Sequence, residues 1–390
     1  MTKKPLDLGS LHPETRLALA GRDSARAEGA VNPAIHRATT LLFDDPADLY
    51  GPHKTYALEG MAAQEALREA LVAVEGGAGA TLAPSGLAAC TLALLTIARA
   101  GGEMLVVDSV YGPTRRFCDT MLTRLGVRTR YFEPRIGAGI SALLTDDSCG
   151  VFLESPGSGT FEIQDAPAIT AAARARGVPT IIDNTWSAGF YFKPFAHGVD
   201  LSVQALTKYQ GGHSDAFAGA VISSTPAWET RVRAAFKQLG LGVGPDDSYL
   251  TLRGMRTMGV RLARQSASAL QIAKWLEAQP QVARVIHPAL ESHPDHAIWK
   301  RDFTGASGLF AFELKPESTP HAAAMLRSLS LFGMGFSWGG YESLIAPINK
   351  NTTRTAAPFA PGGEIIRLSI GLEHPGDLIA DLASALSVTG

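Results

Sequence analysis

Residues 201–215, "LSVQALTKYQGGHSD", decide how this chain is read. A short apolar run ends at Leu206, and Lys208 follows between a threonine and a tyrosine, with two glycines and His213 close behind. A surface lysine usually sits among other charges; this one stands alone at the end of a strand-like segment. Either it caps a buried strand or its amine carries chemistry. Just upstream, "PTIIDNTW" (179–186) repeats the pattern, an apolar run closed by Asp183. A carboxylate at the end of a buried strand is costly unless a cation or hydrogen-bond donors meet it.

Outward from this segment, short apolar runs alternate with helical periodicity. The pattern predicts helices over 61–75, 86–100, 113–125 and 166–176. Strands are expected at "EMLVVD" (103–108), "RTRYFE" (128–133), "GVFLES" (150–155), "PTIIDN" (179–184), "LSVQAL" (201–206) and "GAVISS" (219–224). Several of these runs are continuously apolar, which predicts a mostly parallel sheet buried on both faces, with ligands at the carboxyl ends of its strands. After residue 225 two long helices are expected, over 226–240 and 254–278, the second leading to a smaller unit with strands near "GLFAFEL" and "IIRLSIG". The first 60 residues mix proline, glycine and charge without periodicity and read as an extended arm. The expected organisation is an arm over 1–60, an α/β domain over 61–250 and a C-terminal α/β domain over 251–390.

Composition narrows the partners. The 390 residues are 46% hydrophobic and carry 35 basic against 37 acidic side chains, so no electrostatic footprint for nucleic acid or an anionic membrane is visible. The longest apolar run, "ACTLALLTIA", is too short to span a bilayer, and the N-terminus lacks the unbroken apolar stretch of a signal peptide. Cys90, Cys118 and Cys149 lie far apart without a CxxC pair, which makes neither a disulfide framework nor a zinc site. His287, His293 and His296 fall in a proline-rich turn without a ligand register, so no metal is expected. A cytoplasmic protein acting on a small molecule is the expectation.

Three strand ends supply chemistry: an amine at Lys208, an acid at Asp183, and at "PSGLAA" (84–89) a turn into a helix whose free N–H groups suit a phosphate. Pyridoxal phosphate asks for all three: a lysine imine, a carboxylate at its ring nitrogen and a phosphate cradle. Tyr111 in "DSVYGPT" offers a flat partner for the ring.

Those residues, together with "GAVNPAIHRATTLLFD", "VEGGAGATLAPSG", "VFLESPGSGTFEIQDAPAI", "RGMRTMGVRLARQ", "KRDFTGASGLFAFEL", "FSWGGYESL" and "IRLSIGLE", resemble the Cys/Met-metabolism pyridoxal-phosphate enzymes of fold type I. Within that family the likeness is strongest to the bacterial cystathionine β-lyases. The resemblance implies a seven-stranded-type sheet domain, a smaller C-terminal domain and an N-terminal arm reaching a neighbouring active site in a homotetramer. It makes Lys208 the Schiff-base lysine, Asp183 the ring-nitrogen partner and Tyr111 the stacking and proton-assisting tyrosine. Gly86, the Leu87 amide, Thr207 and Tyr56 become phosphate ligands. Arg367 becomes the grip on the substrate carboxylate, with Ser337 and Trp338 as the adjoining wall. The implied reaction is β-cleavage of cystathionine or a related S-substituted cysteine to a thiol such as homocysteine, pyruvate and ammonia, as in transsulfuration and methionine biosynthesis. The alternative is another family activity: a γ-lyase, a γ-replacement enzyme or a C–S lyase for a different thioether.

The departures lie in the arm and beside the tyrosine. Where the family reads Tyr-x-Arg, this chain keeps Tyr56 but has Leu58, and Glu59 follows where a basic residue is common. Arg116 stands at a usually acidic position. Two expectations follow: either Arg115 or Arg116 replaces the lost phosphate contact, or Glu59 and Arg116 pair to reshape the pocket for the distal end of the substrate.

Overall fold

Apolar strands that must bury two faces, separated by helices able to cover them, resolve into a three-layer arrangement. The computed structural model describes residues 7–23, 27–349 and 352–389. Two helices come first, α1 (Pro13–Leu19) and α2 (Ala62–Glu75), followed by β1 (Gly79–Ala83), α3 (Gly86–Ile97), β2 (Glu103–Val107), α4 (Gly112–Phe117) and β3 (Arg128–Phe132). Next are β4 (Ser148–Glu154), α5 (Ala166–Ala175), β5 (Thr180–Asp183), β6 (Leu201–Gln204) and β7 (Gly219–Ser223). Among the described residues these strands form one seven-stranded sheet in the order β1-β7-β6-β5-β4-β2-β3. All neighbours are parallel except β7, which runs antiparallel to both β1 and β6. Val151, Phe152, Leu153, Ile181, Ile182, Leu201 and Val203 are fully enclosed, as expected for strands covered on both sides.

Helices α6 (Pro226–Leu239), α7 (Pro245–Met255) and α8 (Met258–Glu277) lead to the second unit. It contains β8 (Val282–Ile286), α9 (His296–Asp302), β9 (Leu309–Leu314), α10 (Ala322–Ser328), β10 (Gly333–Met334), β11 (Leu344–Pro347), β12 (Ile365–Ser369) and α11 (Pro375–Leu386). Its five strands are ordered β10-β11-β12-β9-β8. Successive residues of a strand face opposite sides. Ile366 and Leu368 therefore pack into the core under α8 and α11, while Ile365 joins the core of the first sheet. Arg367, between Ile366 and Leu368, is thereby turned toward the larger unit.

Two expectations change. The helix expected over 254–278 is interrupted, because Thr257 has ψ of 4° and separates α7 from α8. Gly254 packs so closely on the Gln210 and Gly211 carbonyls that a Cβ there would collide with them. Arg261 Nη2 donates to the Gly254 and Tyr209 carbonyls at 2.8 and 2.7 Å, bracing the break. The arm is extended only in part: α1 docks on α2 and α8, burying Leu17 and Ala20. Beyond it Val31, Leu42 and Tyr50 are exposed.

Candidate active site

The carboxyl edge of the large sheet collects the chemistry. Past β6 the chain turns on an Lys208 N–H to Ala205 carbonyl bond of 3.0 Å, and Gly212 N–H returns to the Lys208 carbonyl at 2.8 Å. The Lys208 side chain thereby projects beyond the strand end. Its Nζ donates to Ser337 Oγ at 2.7 Å and lies 5.2 Å from the Trp338 ring centroid. Burial, then the charge of Arg367, push its ammonium pKa down to about 8, with Asp183 opposing. The free amine is thus within reach near neutral pH.

Asp183 closes β5. Its Oδ1 accepts the Thr185 N–H at 3.0 Å and the Thr185 hydroxyl at 2.5 Å, while Oδ2 meets only the Cys90 thiol, at 3.6 Å, among the described residues. Burial pushes the carboxyl up, and Thr185, Cys90 and Lys208 work against that rise. A cationic N–H would complete the hydrogen bonding of Oδ2.

At the start of α3, Ser85 Oγ takes the Ala88 N–H at 3.1 Å. The Gly86 and Leu87 N–H groups belong to the first turn and have no intrahelical partner. A Cβ on Gly86 would collide with the Ala205 methyl group, so glycine lets the helix end approach the turn that carries Lys208. Gly86→Ala is expected to lower stability by about 1–3 kcal/mol through overpacking and to weaken cofactor retention. Thermal melts with and without added cofactor check this.

Arg367 Nη2 donates to the carbonyls of Ser337 and Gly335 at 3.0 and 3.4 Å. Its Nε is buried without a partner among the described residues, a donor suited to a carboxylate oxygen. Ser337 holds φ of 81°, a strained conformation for a residue with a side chain. Gly339 follows where a Cβ would lie 3.0 Å from Tyr209 N and 3.2 Å from Lys208 Cα, so this loop closes directly on the lysine segment. Tyr111 precedes α4, its ring partly exposed. Burial first, and then Glu154, raise its phenol pKa, while Arg367 lowers it.

Other expected residues make contacts of their own. Thr207 Oγ1 is occupied by Ala218, 3.2 Å from both its carbonyl and its N–H, holding the turn to the start of β7. His213 Nδ1 lies 2.8 Å from the Gly211 carbonyl, a structural contact. Tyr56 and Leu58 line a cavity of about 240 Å³ with His36 and Pro245. The expected Glu59–Arg116 pair is not made within the chain: Glu59 meets Lys237 Nζ at 2.9 Å and Arg233 Nη2 at 3.3 Å, and Arg116 is exposed on α4. Burial alone would raise the Glu59 pKa, but Lys237 and Arg233 prevail and lower it. Arg115 does not stand free for a phosphate, since it is buried against Asp108 and lies 3.6 Å over the Tyr131 ring. Glu59→Gln is therefore expected to cost no more than about 1 kcal/mol of stability, read from denaturant titration. A cavity of about 400 Å³ bounded by Arg99, Arg174 and Trp228 opens at the amino ends of the strands, away from Lys208.

Two residues of the site were missed from the sequence. Glu154 closes "VFLE" just as Asp183 closes "TIID", so the same strand-end signal marked it. Cys90 lies four residues after Gly86, one helical turn along α3. With Lys208, Asp183, the Gly86 helix end and Tyr111 on one rim, the donor set fits pyridoxal phosphate: an amine, an open carboxylate oxygen, a close-approach glycine and an aromatic ring.

Comparison with known proteins agrees. The family model for Cys/Met metabolism PLP-dependent enzymes matches residues 14–387. A putative cystathionine beta-lyase of Rhizobium johnstonii is 50% identical over 374 residues, 94% of each chain. Cystathionine beta-lyase MetC of Escherichia coli is 44% identical over 385 residues, 95% of this chain and 96% of its own. Among solved structures, a cystathionine gamma synthase of Xanthomonas oryzae pv. oryzae superposes with a TM-score of 0.90 at 31% identity, covering 97% of this chain and 98% of that one. Matched along nearly its whole length, the chain belongs to the Cys/Met-metabolism PLP-dependent enzymes.

Proposed function

We propose that this chain is a pyridoxal-phosphate-dependent carbon–sulfur β-lyase that splits cystathionine, or a closely related S-substituted cysteine, into a thiol such as homocysteine, pyruvate and ammonia. One observation carries the reading. Ser337 touches Lys208 through its hydroxyl and Arg367 through its carbonyl, which sets an amine and a guanidinium at the two polar ends of an α-amino acid. Identities of 50% and 44% to β-lyases, against 31% to a γ-synthase, favour cleavage at Cβ.

When bound, the cofactor supplies an electron sink for charge developing at the substrate Cα. Lys208, Thr185-anchored Asp183, Tyr111 and the Gly86–Leu87 helix end are the residues that would hold it. Arg367 binds the substrate carboxylate through its fork and fixes the orientation of Cα. Lys208 Nζ removes the Cα proton as general base, which its lowered pKa permits. Asp183 Oδ2 would accept a hydrogen bond from the ring nitrogen and favour its protonated form. Lys208 Nζ or the Tyr111 hydroxyl returns a proton to the departing sulfur. Trp338 forms a wall of the cleft beside Lys208, and water then hydrolyses the eliminated aminoacrylate to pyruvate and ammonia.

The discriminating assay is keto-acid analysis with cystathionine. Pyruvate with homocysteine is expected; 2-oxobutyrate with cysteine would assign a γ-lyase instead. The proposal includes a homotetramer, supported by the exposed Val31, Leu42 and Tyr50 of the arm, and a cytoplasmic setting, supported by three free cysteines. Sedimentation measures the first.

A further inference from the structure

Glu154 takes no part in the chemistry just described, yet its carboxyl lies at the centre of the site. It is the in-register neighbour of Asp183 across β4 and β5, and such neighbours face the same side about 5 Å apart. Burial, then the charge of Asp183, push the Glu154 carboxyl well above the usual range, with the Tyr111 N–H and the Ser158 hydroxyl working against that rise.

The contact that matters is with the backbone of Tyr111, whose N–H donates to Glu154 Oε2 at 2.6 Å. The other backbone bond of Tyr111 is at its carbonyl, which accepts the Arg115 N–H at 3.0 Å. Tyr111 precedes α4 without making a side-chain cap, and the helix opens on Gly112 and Pro113, a residue with no side chain and one with no N–H. Beneath it, Ser158 N–H donates to the Ser109 carbonyl at 2.8 Å, and a Cβ on Gly157 would lie 2.5 Å from the Ser109 side chain. The turn after β4 thus forms a platform under residues 109–111, and Glu154 is the side chain that ties it to Tyr111.

We propose that Glu154 is a positioning residue: it tethers the Tyr111 backbone and so sets where the phenol stands relative to Lys208 and Arg367. The kinetic part of the test rests on the β-lyase reading; the spectroscopic part does not. Glutamine keeps a carbonyl oxygen for the Tyr111 N–H and has nearly the same shape as a protonated glutamate, whereas alanine removes the acceptor.

The experiment compares holoenzymes of Glu154→Gln, Glu154→Ala and Glu154→Asp with wild type, reading kcat, KM and the visible circular dichroism of the bound cofactor. Glu154→Ala and Glu154→Asp are expected to lower kcat by about 10- to 100-fold, as for a misplaced catalytic group, with KM changed less than about threefold. Their visible ellipticity is expected to fall as the Tyr111 ring loses its fixed pose. Glu154→Gln stays within about threefold of wild type in kcat and keeps its ellipticity. The tether is overturned if Glu154→Gln is as impaired as Glu154→Asp, which would assign acid chemistry to the group, or if both shortened variants retain wild-type kcat and ellipticity. Should Glu154→Ala fail to fold, the Asp and Gln pair still decides. A wild-type enzyme releasing no pyruvate refutes the lyase reading, while the ellipticity series continues to test the tether.

Discussion

Lys208→Ala protein is expected to fold, to bind pyridoxal phosphate without covalent attachment, and to lose pyruvate release by at least about 10³-fold. The same nitrogen serves twice, as the covalent anchor and as the base at Cα, so no neighbouring group replaces it. Arg367, whose nearby charge helps to lower the Lys208 pKa, cannot act as a base. Arginine at 208 would fail for the same reason. Borohydride reduction followed by peptide mapping should fix the cofactor to residues 207–209 in wild type and not in the variant. Residual turnover near wild type would remove Lys208 from the mechanism.

The second large effect belongs to Arg367→Lys. A substrate carboxylate in the fork takes charge-assisted hydrogen bonds of about 1.5–3 kcal/mol each, so losing the second one and the planar geometry should lower kcat/KM by about 10²-fold or more. The substituted ammonium must also serve the Ser337 and Gly335 carbonyls that Arg367 now satisfies. Most of the loss should appear in KM, because the carboxylate is bound in ground and transition states alike. An amine analogue lacking the carboxylate should bind wild type and variant equally. A variant with unchanged KM for cystathionine would move the carboxylate site elsewhere.

Much of the large sheet was legible because its strands are buried on both faces and read as unbroken apolar runs. Chain direction was not, since periodicity is the same for a parallel and an antiparallel strand; β7 runs against its neighbours for reasons of topology. The strand β8 was hidden because only Val282, Val285 and Ile286 of its five residues are buried. The division between α7 and α8 arises from Gly254 meeting the Gly211 carbonyl, a contact between segments far apart in sequence. The helix α1 is too short to declare itself by propensity and is held by burial of Leu17. In the site, Lys208 and Asp183 announced themselves as polar residues ending apolar strands. Glu154 carried the same sign and was passed over. The partners of Glu59 on α6 could not be read at all, because Arg233 lies 174 residues away.

The double contact of Ser337 has an evolutionary meaning. One residue in a strained turn offers oxygen to both polar anchors, so the span between them is a fixed gauge for the amino-acid head. Any substrate presenting that head can dock, and discrimination passes to its tail. New thioethers can then be recruited by remodelling the distal wall alone, while the head-reading parts stay unaltered.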